Sequence, residues 1–210
     1  MFKDLALVKI LRHIIYLISN YFIKIRNPLL WSAFAVSSHL TIQERVILFK
    51  LAAESKTIAE IGSYIGASAC CFGAALKAVR TGKIICIDTW NNDAMTEGNR
   101  DTWKKFQENT WEYKGFILPF RGFSTDVIQS VRDVTTDLDV LFIDGDHSYK
   151  GVKADWEAYK SFLKNGSVVI FHDYGWAEGV KRVVHEDVMP LVCSHDHLPN
   201  MWWGQIGSVS

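Results

Sequence analysis

Glu60-Ile61-Gly62-Ser63-Tyr64-Ile65-Gly66 joins two different patterns. Before it runs Thr57-Ile58-Ala59-Glu60-Ile61, a short apolar stretch that reads as a buried strand. After it, Ala67 to Val79 is rich in Ala and Cys and reads as a helix. Gly62 and Gly66 therefore stand where the chain leaves a strand and enters a helix. Glycine there permits a tight turn and lets a ligand approach the backbone closely. The spacing is GxxxG. The dinucleotide fingerprint GxGxxG needs its middle glycine beside the pyrophosphate, and Tyr64 occupies that place. The turn thus suits a cofactor without a pyrophosphate and disfavours an NAD-binding oxidoreductase.

The alternation continues outward. Thr41 to Ser55 reads as a helix, with Thr41 as N-cap and Glu44 three places on, a capping box. Downstream, strands are expected at 83–87, 116–120, 140–143 and 167–171, and a last one around Met201 to Ile206. Helices are expected near 102–111 and at 126–134, 152–163 (stopped by Asn165-Gly166) and 179–188. Short apolar runs alternating with helices imply a mostly parallel sheet covered on both faces. The predicted fold is a doubly wound, Rossmann-like α/β domain over residues 31–210, preceded by a helical extension over residues 1–30.

In such sheets ligands bind beyond the carboxyl ends of the strands. Glu60, Asp88, Asp144, Asp146, His172 and Asp173 stand at those ends. Asp88 lies 22 residues past Gly66, and a carboxylate there can accept both hydroxyl protons of a ribose. A hydroxyl that is to act as a nucleophile needs a base to take its proton. Carboxylates can hold a cation that acidifies an alcohol, and a histidine titrates near neutrality.

With Ala67-Ser68, the glycine turn resembles motif I of the class I S-adenosylmethionine (SAM)-dependent methyltransferases. The resemblance runs from about Ser38 to the C-terminus. It implies that Glu60, Gly62, Ser63, Tyr64, Gly66, Ser68, Asp88, Thr89, Trp90, Ser124 and Asp144 surround SAM, with Asp88 on the ribose. Gly122-Phe123-Ser124 follows the third strand, where that family often contacts adenine. Leu141 to Tyr149 and Val169 to Tyr174 are similar to the branch of macrocin-, novobiocin- and sugar-type O-methyltransferases. Several of its members use Mg2+. The resemblance implies Asp144 and Asp173 as metal ligands, with His172 a third candidate at a place that is often acidic, and Asp146 as base. Without a metal, His147 or His172 is the more natural base. The implied substrate is a small molecule or sugar bearing a hydroxyl.

Lys+Arg and Asp+Glu are both 23, so the chain lacks the basic surplus that an obligatory nucleic-acid partner requires. Cys70, Cys71, Cys86 and Cys193 form no metal-finger spacing and read as reduced thiols of a cytoplasmic protein. Residues 1–30 hold Lys3, Lys9, Arg12, Lys24 and Arg26 against Asp4, a net charge of +4. Charges interrupt the apolar run too often for a spanning helix, and no small-residue cleavage site follows it. Such a helix can lie on a membrane, cover the domain, or pack in a homodimer. Residues 91–115 read either as a lid over the cofactor or as a solvated connection. Trp90, Trp176, Trp202 and Trp203 are candidates for core packing or for pocket walls. The competing functional reading is a methyltransferase-fold binding or scaffold protein without turnover, docked through its N-terminal helix.

Overall fold

The computed structural model describes residues 2–91 and 100–207. Residues 92–99 of the predicted lid or connection lie outside them. The helices are α1 (Phe2–Arg26), α2 (Trp31–Ala35), α3 (Ile42–Ala52), α4 (Ala67–Val79), α5 (Trp103–Thr110), α6 (Ser124–Val134), α7 (Tyr149–Tyr159) and α8 (Glu178–Val183). The strands are β1 (Thr57–Ile61), β2 (Lys83–Asp88), β3 (Ile117–Arg121), β4 (Leu138–Ile143), β5 (Leu163–His172), β6 (Val192–Leu198) and β7 (Met201–Ile206). Among the described residues they form one seven-stranded sheet of order β3-β2-β1-β4-β5-β7-β6. The first five strands pair in parallel, and β7 runs antiparallel to both β5 and β6.

Alternation along each strand divides the interior in two, because successive side chains point to opposite faces. Ile58, Ile84, Cys86, Val140, Phe142 and Ile170 face the side covered by α3, α4 and α5. Ala59, Ile61, Ile85, Ile87, Leu141, Ile143, Val169 and Phe171 face the side covered by α6, α7 and α8. The sheet is buried on both faces, which is why its strands read as continuous apolar runs. The strand order reverses between β1 and β4, so the crevice for a ligand opens there.

The expected elements are present, with shifted ends. The helix foreseen over 152–163 spans Tyr149–Tyr159 and closes with a tighter turn, Lys160–Phe162. Asn165-Gly166 does not stop that helix. It lies inside β5, where the register jumps from Leu138↔Leu163 to Val140↔Val168. Gly166 takes the left-handed conformation there (φ +91°). Ser167 Oγ holds the bulge, accepting from Lys164 N (3.0 Å) and donating to Leu138 O (2.6 Å). The helix foreseen over 179–188 is α8 followed by a wider turn, Val184–Val188. Strand β6 was not foreseen. Its Ser194, His195, Asp196 and His197 are exposed, as suits an outer strand that need not be apolar.

The capping box of α3 is present: Glu44 N donates to Thr41 Oγ1 (3.2 Å), and Thr41 N donates to Glu44 Oε2 (2.7 Å). Buried Arg45 ties α3 to the chain before it, donating to the carbonyls of Ala33 (2.6 Å), Val36 (2.9 Å) and Leu40 (3.2 Å). The start of α3 is thereby held beside the end of β5. No described helix is long and apolar enough to cross a membrane.

Candidate active site

The glycine turn is fixed from both sides. Gly62 N donates to Ile87 O (2.9 Å), and Asp144 N donates to Ile61 O (2.9 Å). Gly62 has φ +89°, and a Cβ on it would lie 2.0 Å from the Asp144 carbonyl oxygen. Only glycine allows β1 and β4 to end this close together. Asp88 then links two turns: its Oδ2 accepts from Tyr64 N (2.7 Å) and its Oδ1 from Trp90 N (2.6 Å). Tyr64 and Trp90 are both held at positive φ, 45° and 52°.

Beside these turns lies a cavity of about 510 Å3, within the usual range for small-molecule sites. Gly62, Tyr64, Asp88, Thr89, Ser124 and Asp144 line it, as the sequence led one to expect. The other candidates for cofactor contact sit elsewhere. Glu60, Ser63 and Ser68 are buried, and Ser63 Oγ donates to Glu60 Oε2 (2.7 Å). Gly66 caps α4 at φ +88°, against Phe106 and Thr110. Trp90 is fully buried among aromatic rings, 4.6 Å from Trp103 and 4.9 Å from Phe106. Burial pushes the Glu60 carboxyl up to about 7, against hydrogen bonds with Ser68, Ser63 and Cys86.

Asp155, which the strand-end pattern did not single out, also lines the cavity. Ser124 Oγ donates to its carboxylate, and Tyr159 donates to the Ser124 carbonyl (3.0 Å). Burial raises the Asp155 carboxyl to about 6, against the Ser124 hydrogen bond. A sequence signal existed: Asp155 is an acid between Val152, Trp156 and Tyr159 on the buried face of α7.

The second half of the site lies at the ends of β4 and β5. Asp173 follows β5 in a left-handed conformation (φ +58°). Its Oδ1 accepts from Trp176 Nε1 (2.7 Å) and Asn200 Nδ2 (2.9 Å), and His147 Nε2 lies 2.8 Å from its Oδ2. Burial opposes ionisation, but these donors and His172 hold the Asp173 carboxyl far below the ordinary carboxylate range. His147 is raised, chiefly by its hydrogen bond to Asp173 and against burial. The exposed ring of Trp176 meets His147 edge-on at 5.2 Å. Trp202 is buried, and Trp203 packs partly buried against the core.

His172 sits behind this pair, only 3% exposed. Its Nδ1 is 3.1 Å from Asp144 Oδ1 and 3.4 Å from Asp173 Oδ1, and its Nε2 is 3.8 Å from Glu44 Oε2. Burial would lower its pKa. The charge and hydrogen bond of Asp144, with Asp173 and Glu44, outweigh that and push it up to about 12. His172 is thus a buried imidazolium among three carboxylates. Glu44, which the sequence showed only as a cap, is one of them.

Asp146 faces the start of α7. Its Oδ1 accepts from Ser148 N (2.7 Å) and its Oδ2 from Ser148 Oγ (2.9 Å), while Ser148 Oγ caps α7 by accepting from Gly151 N (3.1 Å). Among the described residues, Asp144, His147 and Asp173 offer donor atoms all within 4.8 Å of one another. Two carboxylate oxygens and one imidazole nitrogen suit a divalent cation.

The comparisons agree with this geometry. A family model described as "Methyltransferase domain" matches residues 59–174. The "Uncharacterized protein y4gI" of Sinorhizobium fredii is 31% identical over 120 residues, covering 56% of this chain and 13% of that protein. The chain thus spans only about an eighth of that relative's length. Among solved structures, the O-methyltransferase TomG from Streptomyces achromogenes, in complex with SAM, superposes with a TM-score of 0.63 at 15% identity, over 80% of this chain and 82% of that one. CalS11, a TDP-rhamnose 3'-O-methyltransferase, gives 0.60 at 15% identity, over 79% and 78%. These likenesses show the fold, and the family model shows the kinship: the chain belongs to the methyltransferase-domain family, with the class I fold.

Proposed function

We propose that this chain is a SAM-dependent O-methyltransferase acting on a hydroxyl of a small molecule or sugar. One observation carries the reading. The cavity lined by Gly62, Asp88 and Ser124 meets the cluster of Asp144, His147 and Asp173 at Asp144, which belongs to both. When bound, SAM supplies a methyl group activated on a sulfonium. Asp88, at the end of β2 and lining the cavity, would hold the ribose hydroxyls. Ile61, Ile87 and Phe123 give apolar walls to a flat base. SAM bound to TomG and the sugar acceptor named for CalS11 support the same reading here.

On the acceptor side, His147 is the base. Its Nε2 is held by Asp173, which leaves Nδ1 to take the acceptor's proton. Asp173 orients the ring and stabilises the imidazolium once formed. The buried His172 holds Asp144 in place. Trp176, exposed beside His147, provides a face for a sugar or aromatic ring.

A second reading rests on the compact donor group. Asp144, His147 and Asp173 would hold Mg2+ or another divalent cation, with Asp146 left as base. When bound, such a cation would orient the acceptor hydroxyl and lower its pKa. The two uses of His147 exclude each other at a given nitrogen, since a ligating lone pair cannot also take a proton.

Calorimetry with S-adenosylhomocysteine and with NAD tests the cofactor, and only the former should bind. Turnover of SAM against a panel of nucleotide sugars and phenols tests the reaction. Methylation that survives EDTA supports His147 as base. Methylation lost with EDTA and restored by Mg2+ supports the cation. Failure to bind S-adenosylhomocysteine would overturn the proposal, and binding without any turnover would favour a scaffold role.

A further inference from the structure

Helix α1 leaves the body of the molecule. Among its described side chains the contacts with the domain lie near its C-terminal end: Ile23 packs against the core, Lys24 lies over the Phe34 ring at 5.9 Å, and Asn20 is half-buried, as is Asn27 just past the end. From Val8 onward its other large apolar residues are open, with exposures between 45% for Ile14 and 62% for Tyr21. Leu29 and Trp31, just past its end, are each 57% exposed.

The helical period orders these residues. At about 100° per residue, Val8, Ile10, Leu11, Ile14, Ile15, Leu17, Ile18, Tyr21, Phe22 and Ile25 fall on one half of the cylinder. No charged residue from Lys9 to Ile25 falls within that half, and Arg26 lies at its edge, in line with Val8. Lys9, Arg12, His13 and Lys24 lie on the other half or at its border, with Ser19, Asn20 and Tyr16, whose hydroxyl suits a polar boundary. The half-buried Asn20, Ile23 and Lys24 belong to that polar side. The apolar half therefore faces away from the protein's own domain. A helix docked on its own domain would show the opposite arrangement.

Charge narrows what covers this face. Residues 1–30 carry +4 in a chain of zero net charge, so residues 31–210 carry the compensating −4. No acidic residue occurs on α1 between Val8 and Arg26. Pairing two such arms would bring together two segments of +4, whereas an anionic lipid surface neutralises them. An apolar half-cylinder is also wider than the roughly 100° stripe that suffices to pack a helix on a protein surface. It matches a helix lying in the plane of a bilayer, with basic side chains reaching the headgroups.

We infer that α1 is an amphipathic anchor that lies on an anionic membrane surface, apolar face down, with the methyltransferase domain above it. The placement does not depend on the reaction proposed for the site.

The test uses the full chain and sedimentation with lipid vesicles. Wild type should sediment with phosphatidylcholine/phosphatidylglycerol vesicles, far less with phosphatidylcholine alone, and less as salt rises. I14E/I18E should lower binding at least tenfold. K9Q/R12Q should lower it by about fivefold per residue, the fold-change for about 1 kcal/mol per basic side chain. Both variants should keep the wild-type melting temperature, since the changed residues are exposed. Failure of wild type to bind anionic vesicles would overturn the inference, as would I14E/I18E binding like wild type. A wild-type dimer that I14E/I18E makes monomeric, without vesicle binding, would give the face to a second copy and overturn it too.

Discussion

His172 Nδ1 lies 3.1 Å from Asp144 Oδ1, with the imidazole buried and Asp144 at the edge of the cofactor cavity. The pair joins the end of β5 to the end of β4, and the charge of the ring lies among three carboxylates. Removing the cation leaves Glu44, Asp144 and Asp173 without their common counter-charge. His172→Gln should cost about 3–5 kcal/mol of stability, as for a broken buried pair. Thermal melting checks this, and a melting temperature within a degree or so of wild type would refute it.

Asp88 is expected to dominate cofactor affinity. A charged hydrogen bond contributes about 1.5–3 kcal/mol, so Asp88→Ala should weaken S-adenosylhomocysteine binding at least about tenfold. Asp88→Asn, which still accepts from one of the two backbone donors, should lose less. Calorimetry reads both, and unchanged affinity in the alanine variant would remove Asp88 from the cofactor site.

The two acids raised by burial give a pH signature. Glu60 is raised from 4.5 to about 7, and Asp155 from 3.8 to about 6. The folded state therefore binds more protons than the unfolded state between these values. Their contribution is complete below about pH 4 and is lost as pH rises to 6–7. For Glu60 the loss is on the order of 3 kcal/mol. Cofactor-free Glu60→Gln should thus gain stability relative to wild type as pH is raised from 5 to 8. Parallel curves for the two proteins would disprove the assignment.

Gly62→Ala combines positive φ with a Cβ placed 2.0 Å from a backbone oxygen. Neither β1 nor β4 can yield, since both are central strands. The substitution should cost about 3 kcal/mol, a fall of about 6–12 °C in melting temperature. Gly115→Ala, with nothing within 4 Å of the new Cβ, should be close to neutral and serves as control.

Much of this architecture was legible because both faces of the sheet are covered. Ile84-Ile85-Cys86-Ile87 and Val140-Leu141-Phe142-Ile143 could only be interior strands, and the acids that end them had to share an edge. The illegible parts have physical causes. Strand β6 lies outermost, so no apolar run marks it. Asn165-Gly166 is a helix-stop signal that a bulge uses equally well. At the site, the sequence brought Asp144, His147, His172 and Asp173 into view. It did not show that His172 is enclosed while His147 stays partly exposed, since burial at a strand end is set by elements from elsewhere in the chain, here α3 and the connection before β7. Glu44 and Asn200 were invisible as site residues because each has an adequate local reason to exist, a cap and a turn.

The cluster around Asp173 draws on residues from Glu44 to Asn200. Asn200 comes from the connection between β6 and β7, and β7 inserts between β5 and β6 only after both exist. A nascent chain that has emerged as far as β5 thus carries His172 and Asp173 without the partner that completes their arrangement. Contacts so distant along the chain form late and are slow to form. The arrangement around His172 and Asp173 therefore cannot be complete until β7 has taken its place in the sheet.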